Sequence, residues 1–271
     1  MLTYAYWNNK GGTGKTSLCF QSLTAYADKH PTERILAIDV CPQANLSELL
    51  LGGLSYNGSS KLLELQAENP RRTIGGYFEH RLPAPFSPPS INAKQYICQP
   101  FTSNDQIPKN IDLIAGDPLL ELQSTAMSSL ANTLIPGRDV WLAIIDWIRD
   151  LIDSMQDAYD LVFIDTNPSF SIYTQVALSS TDRLILPVTA DDSSRRAIQN
   201  AFSLIYGLRL PSHIYLQYAF ATKLSNAGRS LPKVHLIAKN RLTQGVIHEA
   251  LEAHVPHPGK QSIHTCHHTH I

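Results

Sequence analysis

The sequence predicts a doubly wound α/β fold, in which helices cover both faces of a mostly parallel sheet. The prediction rests on three features of the chain. Short apolar segments of strand length alternate with segments of helical periodicity. A glycine-rich stretch joins the first strand to the first helix, and two later strands end in an acid, Asp39 and Asp165. Ligands bind outside the carboxyl ends of the strands in such folds, so the glycines and both acids are expected to meet there.

The first elements are expected to form one βαβ unit. Residues 2–7, LTYAYW, are β-prone, and residues 34–39, RILAID, form a short apolar strand. Between them a helix is expected after Thr16, because its apolar residues fall on one side. Those residues are Leu18, Cys19, Leu23, Tyr26 and Ala27. The unit should be parallel, with a right-handed crossover.

The middle of the chain is less regular. Residues 66–108 contain seven of the 17 prolines, so loops or an irregular insertion are expected there. Residues 110–116, NIDLIAG, have the pattern of a strand. Residues 139–154 form the clearest helix of the sequence, with a core-facing stripe about 140° wide. The stripe consists of Val140, Trp141, Ile144, Ile145, Ile148, Leu151 and Ile152.

The later part of the chain continues the alternation of strands and helices. Strands are expected at residues 159–165 and 183–188, and the second is followed by a helix that ends near Gly207. Residues 213–220, HIYLQYAF, and 233–240, KVHLIAKN, are further strand candidates.

A single domain is expected over residues 1–247, followed by a His-rich tail over residues 248–271. The tail holds seven of the 11 histidines. Four of its residues carry donor atoms for a soft metal ion, namely Cys266, His267, His268 and His270. A flexible tail that binds no metal is the alternative, and the composition favours it.

The composition is that of a globular protein, with 43% hydrophobic and 17% charged residues among 271. No apolar run approaches the roughly 20 residues of a membrane span, and no secretion signal begins the chain. We therefore expect a cytoplasmic protein with no membrane partner. Four scattered cysteines form no C-x-x-C pair, so they indicate neither a disulfide framework nor a zinc ribbon.

Positive charge is concentrated late in the chain, although the formal net charge is only −1. Residues 193–248 contain no Asp or Glu and carry eight lysines and arginines. Such asymmetry is typical of a nucleic-acid-binding surface, and pairing with acids elsewhere in the fold is an equally open alternative. The candidate DNA-binding residues are Arg195, Arg196, Arg209, Lys223, Arg229 and Lys233.

Residues 8–17, NNKGGTGKTS, have the chemistry of a phosphate-binding loop. The glycines let backbone N–H groups converge on one point, and the following helix adds its positive end. Lys15 can reach the β- and γ-phosphates of a nucleotide, and the Thr16 hydroxyl can bind Mg²⁺. Asp165 has the position of an acid that holds the metal, with Asp39 as a second acid within reach. ATP and Mg²⁺ are therefore the expected cofactors, and a glycine-rich surface turn is the alternative.

KGGTGKT with its leading lysine, Lys10, resembles the deviant Walker A motif of the ParA/MinD ATPases, which have the P-loop NTPase fold. Residues 39–47, DVCPQANLS, resemble the D-x-D-P-Q-x-N motif of the ParA branch. Residues 159–169, YDLVFIDTNPS, resemble its Walker B and switch II segment. The resemblance covers about residues 2–208, with a weaker match through Asn240.

The resemblance implies a plasmid or chromosome partition ATPase that dimerises around ATP. In that family the lysine at the position of Lys10 crosses the interface to the nucleotide of the other subunit. The resemblance also implies nonspecific binding of double-stranded DNA, location at the nucleoid, and a ParB-type partner that stimulates hydrolysis. Asn240 resembles the asparagine that contacts adenine, and a loop asparagine is the alternative.

Together, the loop chemistry and the resemblance give three sets of site residues. The candidate catalytic residues are Lys10, Lys15, Asp39 and Cys41. The candidate nucleotide-binding residues are Lys10, Gly11, Gly12, Thr13, Gly14, Lys15, Thr16, Ser17 and Asn240. The candidate metal ligands are Thr16, Asp39 and Asp165.

Three departures from the family motifs bear on activity. The second Asp of D-x-D-P-Q, which positions the attacking water, is Cys41 here. A neutral thiol is a poor substitute, so slow hydrolysis of ATP to ADP and phosphate is expected. Asn167 replaces the first Pro of T-P-P-S, which is expected to loosen that loop. The residues after Asn240 do not resemble the helical C-terminal region of the family.

Two other functions stay open at the level of sequence. Complete loss of hydrolysis through Cys41 would give a noncatalytic, ATP-switched regulatory or scaffold protein. A MinD-like positioning ATPase would act at a membrane. MinD, however, lacks the P-Q-x-N element and ends in a membrane-seeking amphipathic helix, which this sequence does not show.

Overall fold

The structure is a computed structural model that describes residues 1–87, 90–189 and 192–240. Six strands form one sheet, and they are β1 (Leu2–Tyr6), β2 (Ile35–Val40), β3 (Ile111–Ile114), β4 (Leu161–Thr166), β5 (Arg183–Thr189) and β6 (Lys233–Asn240). Their order is β3-β2-β4-β1-β5-β6, and every neighbouring pair is parallel.

Helices connect the strands of the sheet. They are α1 (Lys15–Lys29), α2 (Asn45–Leu50), α3 (Gly58–Ala67), α4 (Ile74–Arg81), α5 (Leu119–Ala131), α6 (Val140–Ile145), α7 (Trp147–Asp153), α8 (Ile172–Ser179), α9 (Asp192–Tyr206) and α10 (Phe220–Asn226). Short 3-10 helices span Ala93–Tyr96, Pro100–Thr102 and His213–Tyr218.

Apolar layers pack on both faces of the sheet, which confirms the doubly wound prediction. On β2, Ile35 and Ala37 face the layer that contains α1, α2 and α3. Leu36 and Ile38 face the opposite layer, which contains α4 to α10. All six residues of β2 are buried, as expected for a parallel strand covered on both faces.

The strand register brings the glycine-rich loop, Asp39 and Asp165 to one edge of the sheet. β4 lies between β2 and β1, and Asp165 pairs in register with Asp39 on one side and Tyr6 on the other. The glycine-rich loop follows Tyr6 directly. The carboxyl ends of three adjacent strands thus carry the loop and both acids, as the sequence predicts.

The prediction of a strand over residues 213–220 is wrong. The 3-10 helix His213–Tyr218 occupies most of this segment and buries none of its residues. Its Ile, Leu and Tyr residues have strand propensity, but β5 pairs directly with β6, so the segment joins no strand of the sheet.

Two other regions differ from their predicted form. The helix predicted over residues 139–154 is divided at Asp146, whose buried carboxylate pairs with Arg229 and Arg149. The irregular region 66–108 contains a buried helix, α4, which begins where the Thr73 hydroxyl accepts a hydrogen bond from Gly76 N–H.

Within the described ranges, no helix combines the length and hydropathy needed to cross a bilayer. The predicted boundary at residue 247 and the tail over residues 248–271, with Cys266, His267, His268 and His270, lie outside the described residues.

Candidate functional site

The glycine-rich loop connects the end of β1 to the first turn of α1. Gly12 and Gly14 have φ angles of 71° and 79°, in the left-handed region that glycine adopts without strain. A Cβ at Gly14 would also lie 2.1 Å from Asn240 Nδ2. The loop leads directly into a 15-residue helix, whose unpaired N-terminal N–H groups favour a bound anion.

Lys15 is the first residue of α1 and is 7% exposed. Its Nζ donates a hydrogen bond to Lys10 O at 3.2 Å. Burial lowers the pKa of the ammonium group, while the charge of Asp165 opposes this shift. A buried cation is stabilised by an anionic ligand, so Lys15 is placed to bind phosphate.

Asp39 and Asp165 lie side by side and are fully buried. Asp39 accepts hydrogen bonds from Cys41 N–H at 3.1 Å, Ser47 N–H at 2.9 Å and Ser47 Oγ at 2.8 Å. Asp165 Oδ2 accepts one from Thr16 Oγ1 at 2.7 Å. Its other oxygen, Oδ1, is buried without a hydrogen-bond partner among the described residues.

Positive charge compensates the two buried carboxyls only in part. Burial and then the charge of Asp39 raise the pKa of Asp165, although the Thr16 hydrogen bond and Lys15 oppose the shift. A divalent cation would supply the missing charge, and Mg²⁺ prefers oxygen ligands. The unpartnered Asp165 Oδ1 and the Thr16 hydroxyl therefore fit a magnesium site.

Asp39, a candidate metal ligand from the sequence, differs from Asp165 in having protein donors on both carboxyl oxygens. Its oxygens are engaged by Cys41 and Ser47, and Ser47 Oγ also accepts a hydrogen bond from Gly116 N–H at 2.9 Å. Asp39 thus ties the segment after β2 to the end of β3. Ser47 was missed at the sequence level, because its position depends on a turn at Ala44, whose φ of 51° no sequence pattern indicates.

Replacing Asp165 with Asn is expected to stabilise the protein when Mg²⁺ and nucleotide are absent. A carboxyl whose pKa is raised on folding contributes stability below its unfolded pKa of about 3.9 and loses it as pH rises through the folded value. The Asp165→Asn side chain would keep the Thr16 hydrogen bond and remove the buried charge. The free energy of unfolding at pH 7.5, measured with urea, should rise by about 1.4 kcal/mol, the equivalent of one pKa unit.

The matched control is Asp39→Asn, because Asp39 is equally buried but its oxygens are satisfied by protein donors. This variant should lose about 1–3 kcal/mol, since an amide cannot accept all three hydrogen bonds. If Asp165→Asn destabilised the protein at pH 7.5 as Asp39→Asn does, the assignment of an uncompensated charge to Asp165 would be wrong.

Cys41 lies on the wall of the cleft above the loop. The cleft has a volume of 350 Å³, and its lining includes Gly11, Gly12, Gly14, Lys15, Thr16, Ser17, Cys41 and Asn167. Thr13 is buried beneath it. Burial, and next the charge of Asp39, raises the pKa of the Cys41 thiol to about 12. The residue therefore faces the cleft as a neutral thiol.

Asn167 does not leave its loop loose, contrary to the expectation from sequence. Its Oδ1 accepts hydrogen bonds from Ser169 N–H at 2.9 Å and Ser169 Oγ at 2.7 Å, and its Nδ2 donates to Tyr173 OH at 2.6 Å. These contacts fix the segment that links the cleft to α8.

Lys10 and Asn240 lie at the margin of the loop. Lys10 Nζ donates to Thr189 Oγ1 at 3.0 Å, at the end of β5, whereas Lys15 Nζ donates to the Lys10 carbonyl. Asn240, the last residue of β6, donates from Nδ2 to Thr13 O at 3.2 Å. The structure thus brings a residue 227 positions later in the chain onto the loop.

The six candidate DNA-binding residues do not form one surface. Arg195, Arg196, Arg209 and Lys233 are exposed. Arg229 instead pairs with Asp146, and Lys223 Nζ lies 5.1 Å from the centre of the Trp141 ring. Arg195 and Arg196 begin α9 at the carboxyl edge of the sheet, whereas Lys233 begins β6 at the opposite edge.

Residues 1–211 match the model of an AAA domain family, AAA_31. A ParA family protein of Chlamydia pneumoniae is 27% identical over 209 residues, which is 77% of this chain and 66% of that protein. The cell division protein PomZ of Myxococcus xanthus is 24% identical over 251 residues, 93% of this chain and 62% of its own length. The chain spans about half to two thirds of the length of the curated relatives it matches.

Solved structures share the fold. A plasmid partition protein from Borrelia burgdorferi is 19% identical with a TM-score of 0.56, covering 93% of this chain and 86% of that one. Cobyrinic acid a,c-diamide synthase from Mycobacterium smegmatis, with a bound ATP analogue and magnesium, is 17% identical with a TM-score of 0.52 and covers 94% and 95%. The family match over residues 1–211, together with the ParA family relative, shows that the chain belongs to the ParA/MinD-type AAA domain family.

Proposed function

We propose that this protein is a ParA-type partition ATPase that binds Mg²⁺ and ATP in the cleft above the glycine-rich loop. The observation that carries the proposal is the buried pair of Lys15 and Asp165. Among the described residues, Lys15 forms no salt bridge and one oxygen of Asp165 has no hydrogen-bond partner. A phosphate group and a metal ion would satisfy both. The Mycobacterium smegmatis enzyme of the same fold carries an ATP analogue and magnesium, which supports the proposal.

The further steps of the proposal concern assembly. ATP would bridge two copies of the chain, with Lys10 of each directed at the nucleotide of the other. The ATP dimer would bind double-stranded DNA nonspecifically through the exposed Arg195 and Arg196, and a ParB-type protein would stimulate hydrolysis. Such a protein acts in the cytoplasm, on the nucleoid. In filter-binding assays, the logarithm of the DNA-binding constant should fall linearly with the logarithm of salt concentration, and a flat dependence would contradict phosphate contact.

The test of the central binding step is Lys15→Ala. Loss of one charge-assisted contact to phosphate should weaken ATP binding about 10- to 100-fold, the equivalent of 1.5–3 kcal/mol. Titration of a fluorescent ATP analogue with Mg²⁺ measures this. Lys29→Ala is the matched control, because Lys29 is exposed at the other end of α1. Equal ATP affinity of the two variants would show that the loop is not the nucleotide site.

A noncatalytic switch is the second candidate function, and the buried thiol of Cys41 favours it. Such a protein would bind ATP and dimerise in the same way but release the dimer by nucleotide exchange. Turnover of ATP in the presence of DNA separates the two functions, since the noncatalytic switch produces no phosphate above background.

A further inference from the structure

An apolar surface follows α9 and includes most of the segment for which the sequence predicts a strand. Its exposed side chains are Leu208 (51%), Ile214 (69%), Tyr215 (53%), Leu216 (41%) and Tyr218 (66%). Beside them lies a groove of 410 Å³, lined chiefly by Phe170, Leu204, Leu210, Tyr215, Tyr218 and Phe220. We call it the 208–220 groove. Clustered exposed apolar side chains of this kind mark interaction sites.

The backbone adopts a defined turn at the start of this apolar surface. Gly207 ends α9 with a φ of 67°, and Arg209 also has a left-handed φ of 54°. The Ser203 hydroxyl donates to Leu208 O at 2.7 Å. A left-handed conformation at an arginine costs energy and persists only where its surroundings enforce it. The chain is therefore held in a defined turn at the start of the apolar surface.

The same groove is joined to the nucleotide cleft by one short segment. Asn167 and Pro168 line the cleft, and Phe170 lines the groove. The ring of Trp7, at the end of β1, lies 5.5 Å from the ring of Phe170, and its Nε1 donates to Ser169 O at 3.1 Å. Any shift of this segment on nucleotide binding would thus change the shape of the groove.

The charge around the groove indicates what it binds. Among the described residues, none that lines the groove is charged, and residues 194–240 contain no Asp or Glu. Arg209 lies between two apolar side chains of the surface, Leu208 and Leu210. Arg196 is exposed on α9, seven residues before Ser203 and so about 10 Å along the same side of the helix.

We propose that the 208–220 groove is the docking site for an acidic amphipathic segment of a partner protein. The apolar side chains of the segment would pack between Tyr215 and Phe170, and its carboxylates would face Arg209 and Arg196. A second copy docked symmetrically would place arginines against arginines, which disfavours it. DNA offers phosphates but no aliphatic face for the groove.

The test uses the full chain and two labelled helical peptides of roughly 16 residues. Both carry the same Leu and Phe face, and the polar positions are Glu in one peptide and Lys in the other. Fluorescence anisotropy should show the Glu peptide binding about tenfold more tightly or better. The double variant Tyr215→Ser with Tyr218→Ser should weaken it about tenfold or more.

The control double variant is Leu54→Ser with Leu134→Ser, whose side chains are 95% and 96% exposed elsewhere on the surface. It should bind the Glu peptide as the wild type does. Equal binding of the two peptides, or unchanged binding by the tyrosine variant, would overturn the proposal. Two other outcomes would also overturn it. In each, the tyrosine variant would bind the Glu peptide as the wild type does but would lose either self-association or binding to anionic lipid vesicles.

Coupling between the groove and the cleft rests on the ATP binding proposed above. The proposal that the groove binds an acidic segment does not depend on ATP. Addition of Mg²⁺ and a slowly hydrolysed ATP analogue should change the affinity for the Glu peptide about fivefold or more, with the reciprocal effect on nucleotide affinity. Peptide binding without nucleotide tests the groove alone. Nucleotide binding without peptide tests the proposed ATP-binding function alone, so the failure of one proposal can be told from the failure of the other. An unchanged affinity would remove the link and leave two independent sites.

Discussion

Replacing Cys41 with Asp is expected to raise the rate of ATP hydrolysis about 10²- to 10⁴-fold, the usual effect of a group that positions the attacking water. The thiol lies on the wall of the nucleotide cleft, 6% exposed, and burial keeps it neutral. A neutral thiol is a weak acceptor and does not orient water as a carboxylate does. Position 41 is the second acid of the family motif, so a carboxylate there should restore the missing acceptor.

Phosphate release under saturating ATP, Mg²⁺ and DNA measures this effect. Cys41→Ser is the matched control, because a hydroxyl is similar in size to the thiol and equally neutral. It should leave the rate within a fewfold of the wild type. Wild-type turnover equal to that of Cys41→Asp would show that Cys41 does not limit hydrolysis.

Replacing Lys10 with Ala is expected to weaken the ATP-dependent dimer about 30-fold or more, the cost of losing one partner of a desolvated charge pair at an interface. Lys10 Nζ is held at Thr189 Oγ1, at the end of β5, whereas Lys15 occupies the loop of its own subunit. Removal of Lys10 should therefore leave the ATP affinity of the single chain unchanged and weaken only the association of two chains.

Dimer dissociation constants from analytical ultracentrifugation, with a slowly hydrolysed ATP analogue, give this comparison. Lys10→Arg is the matched variant, because it keeps the positive charge on a longer side chain, and it should retain part of the affinity. If Lys10→Ala bound ATP and dimerised as the wild type does, the lysine would have no role across the interface.

The positions of the glycine-rich loop and of the two acids were largely predictable because their signals are local. Loop residues 11–17 are contiguous, and the rule that parallel strands end at one edge brings Asp39 beside Asp165. The roles of these two acids were not predictable. They depend on which carboxyl oxygens are satisfied by protein donors, and the donors to Asp39 come from a turn at Ala44 that has no sequence signature.

The errors in the fold have physical causes as well. Residues 213–220 carry the apolar and aromatic residues of a strand, yet residues 213–218 form a 3-10 helix that buries none of them, so local propensity and tertiary structure disagree. The helix over residues 139–154 was predicted whole, because its apolar stripe continues across Asp146. At the point of division Asp146 pairs with Arg229, which is distant in sequence and which no local pattern indicates.

The central claim is that ATP turns this chain into a dimer. Sedimentation equilibrium of the wild type with Mg²⁺ and ATP analogue, with Mg²⁺ and ADP, and without nucleotide tests it most directly. A dimer with the ATP analogue and a monomer in both other conditions is the predicted result. The same mass in all three conditions would contradict the claim.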